Sequence, residues 1–118
     1  MAAPNLLTST TVTGKTALAS LSTVTANVIT NASSSGTVLK LNSILLSNYT
    51  ATTTFANVSI NRSSSTYYLG GNVSVPGNST LVLLGKDISL YVEEGDILQA
   101  NVSTNSSISM SASYELMS

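Results

Sequence analysis

A chain of 118 residues is long enough for one domain with a modest core. Hydrophobic residues make up 42% and mean hydropathy is +0.30, which excludes general disorder, while charged residues are only 8% and the net charge is −1. Four scattered cations (Lys15, Lys40, Arg62 and Lys86) argue against nucleic acid or an anionic membrane as partner, and with no Cys there is neither a disulfide framework nor a thiolate metal site.

Ser, Thr and Asn together supply about two-fifths of the residues, against far lower average usage. Hydroxyls and amides must therefore cover the surface. A net charge near zero keeps a free monomer poorly soluble and suits a protein whose surfaces are covered by neighbours.

In chain order, residues 1–20 read as an N-terminal arm or edge strand, the arm being preferred. Thr8 to Thr13 is a hydroxyl tract with Val12 as its one apolar residue. Residues 21–118 then read as a single domain in which apolar side chains recur every second position, as strands require. Val24, Ala26 and Val28 alternate with Thr25 and Asn27. Asn31 to Gly36 is a loop. Val38 to Leu46 carries apolar residues on both faces, as central or doubly covered strands do. Leu39 and Leu41 share a parity with Leu45, and Ile44 and Leu46 take the other, so a bulge or a change of sheet is expected near Asn42-Ser43.

Ala56, Val58 and Ile60 resume the alternation, and Asn61 to Ser65 breaks it. Gly70-Gly71 is a second break. Pro76-Gly77-Asn78 suits a type II turn with Gly77 at positive φ. Leu81 to Leu84 is apolar on both faces. Ile88, Leu90 and Val92, then Leu98, Ala100 and Val102, flank Glu94-Gly95-Asp96, which reads as a tight hairpin. Ile108, Met110, Ala112, Tyr114 and Leu116 close the chain against alternating polar residues. About eight strands at short spacing predict an all-β fold, an antiparallel β-sandwich of jelly-roll or immunoglobulin-like type.

The catalytic inventory is thin. Without His or Cys there is no Ser-His-Asp triad and no thiol nucleophile, and no G-x-S-x-G or S-x-x-K pattern activates a serine. Gly14-Lys15-Thr16 resembles the end of a phosphate loop, but Ser9 stands where its first Gly belongs. Asp87, Glu93, Glu94 and Asp96 lie within ten positions. Paired carboxylates can serve a glycosidase or bind Ca²⁺, but the plain reading is a solvated turn whose Asp96 binds local backbone N–H groups. No catalytic, cofactor or metal residue is assigned. Eight Asn-x-Ser/Thr triplets begin at Asn31, Asn48, Asn57, Asn61, Asn72, Asn78, Asn101 and Asn105, a consequence of composition rather than a glycosylation signal. Adjacent strand residues face opposite ways, so one of Tyr67 and Tyr68 is expected to face out. Tyr67, Tyr68, Thr10 and Val12 are the candidate partner contacts.

The order of several segments resembles small virion structural proteins of tailed bacteriophages, particularly of cyanobacterial and other marine hosts. The resemblance is carried by Met1-Ala2-Ala3-Pro4-Asn5, Gly14-Lys15-Thr16, Gly36 to Ile44 leading to Ser47-Asn48, Val73-Ser74-Val75-Pro76, Ile88 to Asp96, and Ser113-Tyr114-Glu115. It implies a non-enzymatic capsid decoration (cement) protein, or else a neck, tail or fibre accessory. The implied partners are the major capsid protein or neck and tail proteins, and the implied form is a homo-oligomer with a trimer favoured. The start shows no signal peptide and no run reaches a membrane span, so synthesis in the host cytoplasm is expected, and the resemblance implies residence in the virion. A carbohydrate-binding or adhesin module using Tyr67 or Tyr68 is the alternative from another class. A hydrolase using Glu93 or Asp96 ranks last.

Overall fold

The computed structural model describes residues 12–85, 90–104 and 108–118. Thr10, Asp87 and Ile88 lie outside them. Among the described residues the regular elements are all strands: β1 (Val12–Ser20), β2 (Ala26–Thr30), β3 (Val38–Asn48), β4 (Thr54–Arg62), β5 (Ser65–Val75), β6 (Ser79–Leu84), β7 (Leu90–Val92), β8 (Ile97–Val102) and β9 (Ile108–Met117).

The topology follows from one long hairpin. With β7 set aside, β1 pairs β9, β2 pairs β8, β3 pairs β6 and β4 pairs β5, every pair antiparallel. Rolling this hairpin over itself adds two pairings, β3 with β9 and β4 with β8. Two packed sheets result, β1-β9-β3-β6 and β2-β8-β4-β5, which is the strand order of a jelly roll rather than an immunoglobulin sandwich. Strand β7 lies in line with β6 along β3, facing Leu39 to Leu41 while β6 faces Ile44 to Asn48.

The core lies between the sheets. Leu39, Leu41, Ile44 and Leu46 from β3 meet Ala56, Val58 and Ile60 from β4, Leu98, Ala100 and Val102 from β8, and Ile108, Met110 and Ala112 from β9, all buried. The expected parity switch in β3 is present: its register against β9 slips between Leu41 and Ser43, leaving Asn42 as the extra residue. That one residue lets both halves of β3 face inward.

Several expectations are corrected. Val24 is exposed and precedes β2, whose register slips between Asn27 and Ile29, so Ile29 fills the core there. Gly70-Gly71 is no turn. It lies inside β5 beside register shifts, and a Cβ on Gly70 would stand 2.8 Å from both Leu83 Cδ1 and Val73 Cγ2. In Pro76-Gly77-Asn78 the positive φ belongs to Asn78 (56°), and Gly77 is required because a Cβ there would collide with the Ala51 carbonyl. Strand β6 is at the sheet edge with Val82 exposed, not doubly covered. Glu94-Gly95-Asp96 carries the chain from one sheet to the other, because β7 pairs β3 whereas β8 pairs β2 and β4; it is not a hairpin.

Buried asparagines replace charges as internal fasteners. Asn48 donates from Nδ2 to the carbonyls of Thr52 and Val75 and accepts at Oδ1 from the Thr50 amide and hydroxyl. Asn31 donates to the carbonyls of Thr37 and Val92 and accepts from the hydroxyls of Ser35 and Thr37. Both head Asn-x-Ser/Thr triplets and are buried, which places them out of reach of a glycan in the folded chain. The Thr54 hydroxyl, by contrast, is buried without a hydrogen-bond partner. Urea unfolding therefore should show Thr54→Val stabilising by about 1 kcal/mol, since the methyl costs no unmade bond. In the same assay Leu41→Ala should lose about 2–5 kcal/mol as a core cavity.

Candidate functional site

Three loops meet at one end of the sandwich. The β4–β5 turn is built by Ser63 and Ser64, both left-handed (φ 54° and 64°), between the paired residues Arg62 and Ser65, the geometry of a two-residue type I′ hairpin. The β7–β8 turn bends at Gly95 (φ 87°), whose N–H donates to the Asn31 carbonyl at 2.7 Å. In the loop after β2, the Gly36 N–H donates to Glu94 Oε2 at 2.9 Å.

Arg62 bridges the first two loops. Its Nε donates to Asp96 Oδ1 at 2.8 Å and its Nη2 to Asp96 Oδ2 at 2.6 Å, a bidentate pair, while Nη2 also reaches Glu93 Oε2 at 3.0 Å. The Asp96 side chain is 1% exposed and takes a further bond from the Glu93 N–H at 2.9 Å. Burial pushes the Asp96 carboxyl upward, but the bonds from Arg62 and from the Glu93 amide outweigh it and hold the pKa below the ordinary value. The same bond to Asp96 raises the pKa of Arg62 against the opposing effect of burial. Asp96 thus makes the local turn bond read from the sequence, and also an ion pair that the sequence reading missed. The signal was an Arg beside one predicted turn and an acidic cluster at another.

Beside this pin lies an open cleft of about 410 Å³, floored by Ile60, Leu69 and Leu90, rimmed by Tyr67 and Tyr91, and ended by Arg62 and Glu93. Tyr67 is 60% exposed and Tyr68 65%. Both are therefore accessible, where one was expected. Tyr67 shares the inward side with its partner Ile60 but stands at the open end, and Tyr68 pairs with Ser59 on the outer side. Tyr91 joins the cleft from the other sheet. Among the described residues no group of three or more His, Cys, Asp or Glu is placed to hold a metal ion.

A second uncovered region lies on the outer face of the β1-β9-β3-β6 sheet. Leu18, Ser111, Leu45 and Val82 face one another strand by strand in a single transverse row. Serines 20, 47 and 109 flank an open hollow of about 460 Å³ along it. Leu18 is 78% exposed and Val12, at the start of β1, is exposed as well. Of the expected contacts, then, Val12 and the two tyrosines are accessible but lie on different strands, and Thr10 is outside the described residues.

No protein-family model matches the chain, and no curated protein does so either.

The pin is open to a stability test. A carboxyl whose folded pKa lies below its unfolded value of about 3.9 stabilises fully above that value and loses its contribution as pH falls through the folded one. Urea unfolding at pH 7 should show Asp96→Asn costing about 2–4 kcal/mol, with the gap from wild type narrowing below about pH 4. Glu93→Gln, at the exposed end of the pin, should cost no more than about 1 kcal/mol.

Proposed function

We propose that the chain is a non-enzymatic structural protein of a virion, a capsid decoration protein that binds the head as an oligomer and stabilises it. The observation that carries this reading is how the jelly roll is clothed. Its outward faces present hydroxyls and amides, with large apolar side chains such as Leu18 and Val82 uncovered among them and almost no charge. Such surfaces gain by being covered, and large uncovered apolar groups mark contact surfaces. Jelly rolls build viral shells and lectins alike, so the fold supports the reading by analogy only. The resemblance of the segment order to phage virion proteins inclines it toward the shell. The only strong ion pair among the described residues is spent on fastening two loops, not on chemistry.

The same resemblance admits a neck, tail or fibre position. A carbohydrate-binding role has one specific observation in its favour: Tyr67 and Tyr91 rim a single cleft beside Arg62 and Glu93, and tyrosine rings beside planar hydrogen-bonding groups suit a sugar.

Cryo-electron microscopy of phage particles purified from the source of this gene tests the reading. Jelly-roll density repeated over the capsid lattice is the expected result. Density confined to neck or tail moves the protein there, and its absence from the particle rejects a virion role. A glycan array that binds the native protein but not Tyr67→Ala would favour the sugar-binding alternative.

A further inference from the structure

The β1 edge stands apart from the other sheet edges. β2 is five residues long and slips register, β5 slips twice and carries Asn72 at φ 54°, β6 slips beside Leu83, and β7 has three residues. Bulges, shortness, Pro and charged side chains are how sheets blunt an edge against other chains. Of these β1 has only a single charge. It pairs with β9 over nine consecutive residues without a slip, from Val12 facing Met117 to Ser20 facing Ser109. It contains no Pro and one charge, Lys15, and no described strand pairs with its other side.

We propose that this edge pairs antiparallel with β1 of a second copy, about a two-fold axis perpendicular to the sheet and centred on Thr16. A perpendicular axis keeps outer faces outer, so residues of equal parity must oppose one another and the axis must pass midway between the two copies of one residue. Centring on Lys15 would set two ammonium groups face to face, which cross-strand pairing disfavours. Centring on Ala17 would leave Val12 and Thr13 facing residues beyond the strand. With Thr16 at the centre all nine described residues of β1, Val12–Ser20, find partners.

The side chains fit that register. Each Lys15 opposes Ala17 of the other copy, and the two Thr16 hydroxyls meet at the axis. Leu18 of one copy opposes Gly14 of the other. Leu18 is the most exposed large apolar side chain among the described residues, and the place a Cβ on Gly14 would take has nothing within 4 Å. A projecting leucine thus lies beside an open glycine, twice per dimer. Two four-strand paths become one continuous sheet, and the rows through Leu18, Leu45 and Val82 lie on its single outer face. The inference rests on the reading of the chain as an assembly protein and names its first partner, a second copy. The unit is a dimer in place of the trimer that the resemblance suggests.

Cysteine cross-linking tests the register, and the chain has no Cys of its own to confuse the result. Under mild oxidation or a short bis-maleimide, purified full-length Thr16→Cys should form a covalent dimer. Gly14→Cys and Leu18→Cys should cross-link when mixed and not singly, and Val82→Cys, at the far edge of the sheet, should still dimerise but form no covalent cross-link. Sedimentation velocity should show a reversible dimer that Thr16→Lys weakens about tenfold or more, with an unchanged circular dichroism spectrum. A chain that sediments as a monomer at all concentrations, or an oligomer in which Cys at position 16 does not cross-link, overturns the proposal. These readouts concern β1 alone: a protein found on the capsid whose β1 does not self-pair would sink this inference and leave the virion reading standing.

Discussion

The pairing of β3 with β9 holds the rest of the sandwich in place. It brings Val38–Asn48 against Ile108–Met117, residues some seventy positions apart, and it turns a flat long hairpin into a rolled one. That pairing works because Asn42 is inserted opposite no residue of β9. Without the slip, Leu39 and Leu41 would face the core while Ile44 and Leu46 faced water, since one residue changes every side chain's face. With it, four large aliphatic side chains of one strand enter the same core. β3 also hydrogen-bonds β6 and β7 along its other side, so one strand organises the whole sheet.

A chain with so few charges must hold its loops by other means. The side chains of Asn31 and Asn48 are each buried and each make four hydrogen bonds, tying loops to strands with no charge desolvated. The one bidentate ion pair among the described residues, Arg62 with Asp96, joins the β4–β5 turn to the connection that crosses between the sheets, where a buried carboxylate is held ionised by fixed donors. Outside, Ser109, Ser111 and Ser113 of β9 lie beside Ser43, Leu45 and Ser47 of β3, so that single apolar groups stand among hydroxyls. Such a surface has little long-range field to steer or repel partners, and is suited to close packing at high local concentration.

Much of the fold was legible in the sequence because period two is a strong signal when hydroxyls fill the alternate positions. The inward residues of β4, β8 and β9 follow it directly, and the parity switch in β3 was readable as a bulge. What could not be read was which strands pair. Glu94-Gly95-Asp96 looks like a hairpin from its residues, but whether a turn joins paired strands or crosses between sheets depends on the rolled topology. Gly70-Gly71 and Gly77 misled for a related reason: glycine marks either a turn or a close approach, and here Leu83, Val73 and the Ala51 carbonyl decide. At the candidate sites Tyr67 and Tyr68 were visible as adjacent rings, but Tyr91 and Arg62 join the cleft only through tertiary contact. Leu18 was hidden because Ala17 and Ala19 around it make a weak alternation.

Among the described residues no strand covers the outer edge of β1, and hydrogen exchange of its amides tests the proposed self-pairing most directly. The amides of Val12–Ser20 that point away from β9 should exchange quickly in dilute protein and slow markedly at concentrations where it dimerises, with the β2 and β5 edges unchanged. Equal exchange of β1 at both concentrations, or protection gained at β2 or β5 instead, would contradict that pairing.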